Sequence, residues 1–174
     1  MIPTLETPRL LLRGFRESDL DDLSAMQADP AVMRFLGATG QVRSRQESWM
    51  GMATAMGQWA LRGHGLWAWE ERATGRFVGR GGLLNHEGWP ETELAYAMPR
   101  DCWGQGFATE AGRAALDWGF AHLPVERLVS FIKPGNMASG RVAARLGGVH
   151  EGMTELLGTP CELWVYRRAR SALA

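Results

Sequence analysis

The chain has 174 residues, the length of one domain with room for a sizeable core. Its 45% hydrophobic and 22% charged residues exclude a disordered or collagen-like chain. Lys+Arg and Asp+Glu both total 19, so the net charge is zero, and the basic surplus of a protein that lives by neutralising nucleic-acid phosphates is missing.

No stretch approaches the ~18 unbroken apolar residues of a membrane span, and the opening Met1-Ile2-Pro3-Thr4-Leu5-Glu6 does not read as a signal peptide. Cys102 and Cys161 build neither a disulfide framework nor a metal knuckle. His64, His86, His122 and His150 lack metal-ligand spacing. The expectation is a soluble, cytoplasmic protein with one domain over 1–174 and no metal.

Residues 8–13 read as a first strand. A helix is predicted over 19–29, with Leu20, Leu23 and Met26 three apart on one face. Asp29-Pro30 restarts the chain into a short helix carrying Val32, Met33, Phe35 and Leu36. A longer helix is predicted over 44–61, its seam of Trp49, Met52, Met56 and Trp59 reading as core. The period then changes. Residues 66–70 and 76–79 flank Ala73-Thr74-Gly75 as a hairpin, and Gly81 to Leu84 extend its second strand. The next strand covers 91–98 and stops at Pro99.

A helix follows over 107–122, its stripe of Phe107, Ala111, Ala114 and Trp118 opposite Glu110, Arg113 and Asp117, which can pair at three and four residues. The apolar run 127–132 suits a strand covered on both faces. A helix over 137–146 ends at Gly147, and two strands follow near 150–155 and 161–166. The order describes an α/β (α+β) fold, a mixed sheet of about seven strands wrapped by helices.

The sharpest local signal is Trp103-Gly104-Gln105-Gly106-Phe107-Ala108-Thr109, between a strand and a helix. Glycines there let backbone N–H groups turn inward, and the next helix adds its unpaired N–H groups and positive dipole end. That is a nest for a phosphate or diphosphate. It is neither a dinucleotide fingerprint, because Thr109 stands in the third glycine's place, nor a P-loop, because no Gly-Lys-Ser/Thr follows.

One strand later Asn136-Met137-Ala138-Ser139 opens a helix that closes on Arg145-Leu146-Gly147. The strand–GxGxA–helix–strand–NxxS–helix–LG series resembles the GNAT N-acetyltransferase superfamily. Thr7-Pro8-Arg9-Leu10-Leu11-Leu12-Arg13, Asp29-Pro30-Ala31-Val32-Met33-Arg34-Phe35-Leu36-Gly37 and Glu93-Leu94-Ala95-Tyr96 resemble its RimJ/RimL-type branch of ribosomal-protein N-terminal acetyltransferases.

The resemblance implies a mostly antiparallel sheet whose central strands splay, with the strand ending Tyr96-Ala97-Met98 parting from 128–132. It implies that acetyl-CoA lays its pantetheine arm along that strand. The amides of Gly104, Gln105, Gly106, Phe107, Ala108 and Thr109, after Trp103, would hold the diphosphate. Asn136 would touch the arm, Ser139 would lie near the thioester sulfur, and a backbone N–H near Met98 would polarise the carbonyl. Three positions depart from the family's pattern. Trp103 stands where many members carry Gln or Arg, Ala143 replaces a tyrosine that protonates the leaving thiolate, and Gly148 stands where an aromatic commonly follows Leu-Gly.

Glu93 is the first candidate base because its strand lines the implied cleft; an outward-facing strand glutamate is the plain alternative. His86 and Glu87 follow. Ser139 is the candidate partner of the thiolate, against a first-turn serine satisfying local backbone groups. Cys102 has no partner placed for an acyl-enzyme. Trp49, Trp59 and Trp118 read as core. Trp67, Trp69, Trp89, Trp164 and Tyr166 include residues expected to line the acceptor pocket, although burial accounts for most such aromatics. Lys133 and Arg141 are candidates for the coenzyme's 3′-phosphate, and Arg145 reads as solvated.

The implied activity is direct acetyl transfer to a primary amine, a protein N-terminal α-amine or a small-molecule amine. The alternative, motivated by Ala143, is a non-catalytic acyl-CoA-binding or sensor module. A homodimer is implied by the resemblance alone, and neither nucleic acid nor membrane is expected as a partner.

Overall fold

Antiparallel hairpins and two layers of helices build the molecule, and the computed structural model describes residues 1–168. In chain order the elements are β1 (Leu5–Glu6), β2 (Leu10–Arg13), α1 (Leu20–Gln27), α2 (Pro30–Met33), α3 (Arg45–Arg62), β3 (Leu66–Glu71), β4 (Phe77–Leu84), β5 (Glu93–Ala97), α4 (Phe107–His122), β6 (Arg127–Ile132), α5 (Met137–Arg145), β7 (Val149–Leu156) and β8 (Thr159–Arg167). One sheet runs β1-β2-β3-β4-β5-β6-β8-β7. Its only parallel pair is β5–β6.

The mixed, mostly antiparallel sheet flanked by helices is therefore as expected, with eight strands rather than about seven. The extra one, β1, is a two-residue strand folded back on β2 through Thr7, whose N–H donates to Leu10 O (2.9 Å) and whose hydroxyl accepts from Leu10 N (2.9 Å). Two residues are too few to show a period.

Helix ends follow their residues closely. Asp29 accepts from Ala31 N at the start of α2, and Ser44 with Glu47 forms a capping box on α3. The αL residue Gly63 ends α3.

The sheet's two faces carry two cores. On one, Leu10, Leu12, Trp67, Trp69, Leu94 and Leu128 pack beneath α4 and α5. On the other, Ala68, Phe77 and Ala97 meet α1 and α3 through Leu23, Met26 and Met52. Each large side chain so buried contributes about 1.5–3 kcal/mol.

Trp67 and Trp69 are fully buried in the first core, so neither lines an acceptor pocket. Trp69 lies across β4, where a Cβ on Gly81 would come within 2.3 Å of its ring, and its Nε1 donates to Gly81 O at 3.3 Å. Trp59, Trp67 and Trp118 meet edge to face at 4.8–5.4 Å.

The seam expected on α3 is turned. Met52 and Trp59 are buried, but Trp49 and Met56 are 46% and 43% exposed, while Ser48, Ala55 and Gln58 face inward. Gln58 Nε2 donates to His64 O and Leu83 O, both at 2.9 Å, so a polar residue is what this face needs there. Glu110 also departs from expectation. It pairs not within α4 but with Arg9 (2.7 Å), and it accepts from the Thr7 hydroxyl at 2.6 Å. Arg113 reaches Arg145 O instead.

A buried arginine ties β2 to its neighbours. Arg13 donates to both Asp19 oxygens (2.8 Å each) and to Glu70 (2.7 Å). Its charge is fully matched.

Candidate active site

β5 and β6 meet through a single register pair, Glu93 with Val129, and then separate. The rung that would continue the ladder is taken by a side chain, Ser130 Oγ donating to Leu94 O at 2.7 Å. From there the β6-facing edge of β5 has no strand partner. A cavity of about 630 Å³ opens in the gap, lined by residues 93–96, 130–133, Asn136 and Ser139, with α3 and the 35–38 loop along one side. The expected parting of these strands is present.

Side chains alternate along β5. Leu94 and Tyr96 point to the α4–α5 core, and Ala97 to the α1–α3 core, with Glu93 and Ala95 on Ala97's side by alternation. The cavity thus has two chemically different walls.

Glu93 is 7% exposed and accepts a hydrogen bond from Trp89 Nε1 at 2.9 Å. Burial pushes its carboxyl up to about 7, against the Trp89 and Phe131 N–H groups, which favour the charged form. It is not an outward-facing strand glutamate. A carboxylate so placed can take a proton near neutral pH.

On the opposite wall the Tyr96 hydroxyl is buried without a hydrogen-bond partner and faces Ser139 without closing a bond to it. Burial raises its pKa to about 12, so it stays a donor. Asn136 Oδ1 caps α5 by accepting from Ser139 N (3.2 Å), which leaves its amide group to donate elsewhere. Ala143 is buried in the α4–α5 core, away from the cavity lining. An aromatic at Gly148 has no room, because a Cβ there would lie 2.8 Å from the Tyr166 ring.

The glycine loop lies outside the cavity lining, as do Ala97 and Met98. Gly104 (φ 74°) and Gly106 (φ 82°) are both left-handed. The N–H groups of residues 104–109 meet no acceptor among the described residues. Trp103 Nε1 donates to Met98 O (2.9 Å) and Gln105 Nε2 to Asp101 O (2.6 Å), which pins the loop from behind. A Cβ on Gly104 would meet nothing within 4 Å, so the approach is open. Phe107 and Ala108 are buried, anchoring the start of α4. Thr109 is half-buried beside them. These residues fit a diphosphate.

Other candidates resolve differently. Glu87 is exposed and paired with Arg62. His86 lines the cavity, packs edge-on against Trp89 at 5.0 Å, and is held below its usual pKa, first by burial and then by Arg62 and Arg80. Lys133 Nζ donates to Ala38 O (3.1 Å), so it reaches across to the α1–α3 side rather than toward a 3′-phosphate. Arg141 is exposed without a partner among the described residues. Burial raises the Cys102 thiol to about 11, which suits an inert core cysteine. Trp89 is the one expected pocket aromatic that both lines the cavity and holds a functional side chain. Tyr166 is buried against Ser130, 3.1 Å between the two oxygens.

Sequence reasoning missed Arg80. An arginine inside a glycine-rich strand reads as solvated, and only the register, Arg80 opposite Ala97, turns it toward the α1–α3 side of the cavity. It also took Tyr96 for a backbone contact only. Among the described residues, no three His, Cys, Asp or Glu side chains cluster to hold a metal, and no helix is long and apolar enough to cross a membrane.

The acetyltransferase (GNAT) domain family matches residues 9–149. The chain is 34% identical to an uncharacterized protein, YkkB, of Bacillus subtilis over 148 residues, 82% of this chain and 83% of that one. It is 28% identical to an uncharacterized N-acetyltransferase, YoaA, of the same organism, over 95% of this chain and 96% of that one. The crystal structure of an acetyltransferase from Agrobacterium tumefaciens superposes with a TM-score of 0.85 at 28% identity, covering 97% of this chain and 96% of that one. GNAT acetyltransferases use acetyl-CoA, and this chain has strands parted over a cavity and free amides before α4. The chain belongs to the GNAT acetyltransferase family and is an acetyltransferase.

Proposed function

We propose that the protein is an acetyl-CoA-dependent N-acetyltransferase of the RimJ/RimL-like branch that passes the acetyl group directly to a primary amine, with Glu93 as general base. The observation that carries this is Glu93, buried where β5 leaves β6 and poised near neutral pH. An α-amine, with a pKa of about 7.7–8.0, costs only ~1–1.4 kcal/mol to deprotonate at pH 7, whereas a lysine amine costs nearer 4–5 kcal/mol. A base near 7 is matched to the first. Acetyl-CoA, when bound, supplies an activated carbonyl and a thiolate leaving group. The amides of residues 104–109 hold the diphosphate, the free edge of β5 from Ala95 to Met98 aligns the arm, and Asn136 donates to it. Ser139 and Tyr96 present hydroxyls toward the sulfur side of the cavity.

The absent tyrosine at Ala143 is the one observation favouring a non-catalytic coenzyme-binding module, and those two hydroxyls weigh against it. A cytoplasmic location and a homodimer belong to the same proposal. Calorimetry with acetyl-CoA, followed by free-thiol release over a panel of amines, tests it. Micromolar binding with thiol release is the expected result, binding without turnover favours the module, and no binding removes both.

A further inference from the structure

Arg80 on β4 is half-buried and unmatched among the described residues. Arg80 has a buried Nε without a hydrogen-bond partner, and its guanidinium enters none of the ion pairs of the described residues. It borders the cavity, with Arg43 and no carboxylate of its own. Glu47, also on the lining, is committed to the Ser44 cap at 2.7 Å. Burial brings the Arg80 pKa down to about 10, and Arg43 pushes in the same direction.

A charge in that position is costly unless something answers it. Behind the guanidinium, a space of about 30 Å³ also borders Gln27, whose Oε1 is likewise unpartnered.

Register fixes where an answering group would lie. Arg80 stands opposite Ala97 on β5, and Leu84, four residues further along β4, stands opposite Glu93. All four side chains share the α1–α3 face by alternation. At about 3.3 Å per residue, the Arg80 and Glu93 backbones are roughly 13 Å apart along the strands. Only Gly82 and Ala95 stand between them on that face, so the floor is clear of any large side chain.

We infer that Arg80, with Arg43 beside it, is a specificity-determining site for a carboxylate on the acceptor, so that the amine delivered to Glu93 belongs to a molecule with an anionic end. This rests on the acetyltransfer reading above and adds the chemical class of acceptor. The guanidinium offers a planar fork of donors that matches a carboxylate.

The test uses the full chain with acetyl-CoA and follows thiol release. Acceptors are glycine peptides of two to five residues, whose α-amines titrate in the range matched to Glu93, each beside its C-terminal amide. The acid is expected to exceed its amide in kcat/KM by about tenfold to a hundredfold for at least one length. Arg80→Gln should erase that preference while leaving coenzyme affinity by calorimetry unchanged, and Arg80→Lys should restore part of it. Melting by circular dichroism checks that both variants fold.

Amides and alkylamines accepted as well as acids by the native protein overturn the inference while leaving the acetyltransferase standing. Absence of coenzyme binding would instead sink the reading beneath it. If no acceptor turns over, calorimetry of the same acids against the coenzyme-bound protein reads the site directly. Binding lost in Arg80→Gln supports the inference; binding equal in both proteins, or none, overturns it.

Discussion

Arg13 on β2 is buried and Arg80 on β4 half-buried in one sheet, yet Arg13 is clasped by Asp19 and Glu70 while Arg80 has no acid of its own. The strands around them differ in the same sense. β2, β3 and β4 stay paired as antiparallel ladders, with one bulge between Trp69 and Glu70 and tryptophans packed over glycines, whereas β5 and β6 part after one rung. Where the sheet is closed, the buried arginine has its counterparts inside the protein. Where it opens, Glu93 is buried, and half-buried Tyr96, His86 and Arg80 each carry a buried polar atom without a partner. Under the function proposed above, this unspent hydrogen bonding and charge lies in the half of the molecule that meets ligands.

The largest change on the open side is expected from Glu93→Gln, a fall of about 10²–10⁴-fold in kcat/KM with an α-amine acceptor. The pH profile separates a base from a structural residue. In the native enzyme activity rises with pH as Glu93 loses its proton near 7 and the amine loses its own above that. The variant should keep only the amine's limb.

Trp89→Phe removes a donor that favours the charged carboxylate, so its limb should move to higher pH. The same raised pKa has a sign in stability. The folded protein retains a proton that the unfolded chain releases between 4.5 and about 7, so this group's contribution falls as pH rises through that window. Urea titrations of Glu93→Gln should show that slope reduced.

On the closed side, Arg13→Ala leaves Asp19 and Glu70 facing each other without their cation. A loss of about 3–5 kcal/mol is expected, read as a lower urea midpoint at unchanged slope. A midpoint within error of the native value would mean that the closed half does not depend on its matched charges. Gly106→Asp comes next. It forces a side chain into a left-handed position, at about 1–2 kcal/mol, and sets a negative charge among the free amides. Coenzyme affinity by calorimetry should drop at least about tenfold, and unchanged affinity would displace the diphosphate from this loop.

How much of this was legible depends on what each residue reports. The bounds of α4 and β6 follow from their apolar periods and termini, and the glycine turn before α4 from its motif, because those signals are local; Glu93 was singled out only through the cleft that the family resemblance implies. The turned face of α3 was not legible, since Ser48 and Gln58 are buried to serve other groups while Trp49 and Met56 are left outside. Hydrophobicity reports burial only where burial is apolar. Trp67 and Trp69 had a readable clue in the glycines of β4, which make room for their rings. Arg80 had none. Its side is set by a register with β5 that forms only in the folded sheet, and the bond from Trp89 to Glu93 spans a turn whose geometry no pattern encodes.

The smallest effect expected is also the one that decides how the thiolate leaves. Ala143 faces the α4–α5 core, so a tyrosine restored there would meet packed side chains rather than the sulfur. Ser139 and Tyr96 lie close together on the cavity wall, and Tyr96, raised to about 12, stays protonated where a free thiol ionises near 8.5. It can stabilise the departing charge by donating a hydrogen bond without giving up its proton. Removing either hydroxyl should therefore lower kcat by about 3–10-fold and leave the KM for acetyl-CoA in place. Because the two share one target, Ser139→Ala and Tyr96→Phe together should cost less than the product of the single losses. Strictly multiplicative losses would mean that they act on different atoms, and a fully active double variant would hand the leaving group to solvent.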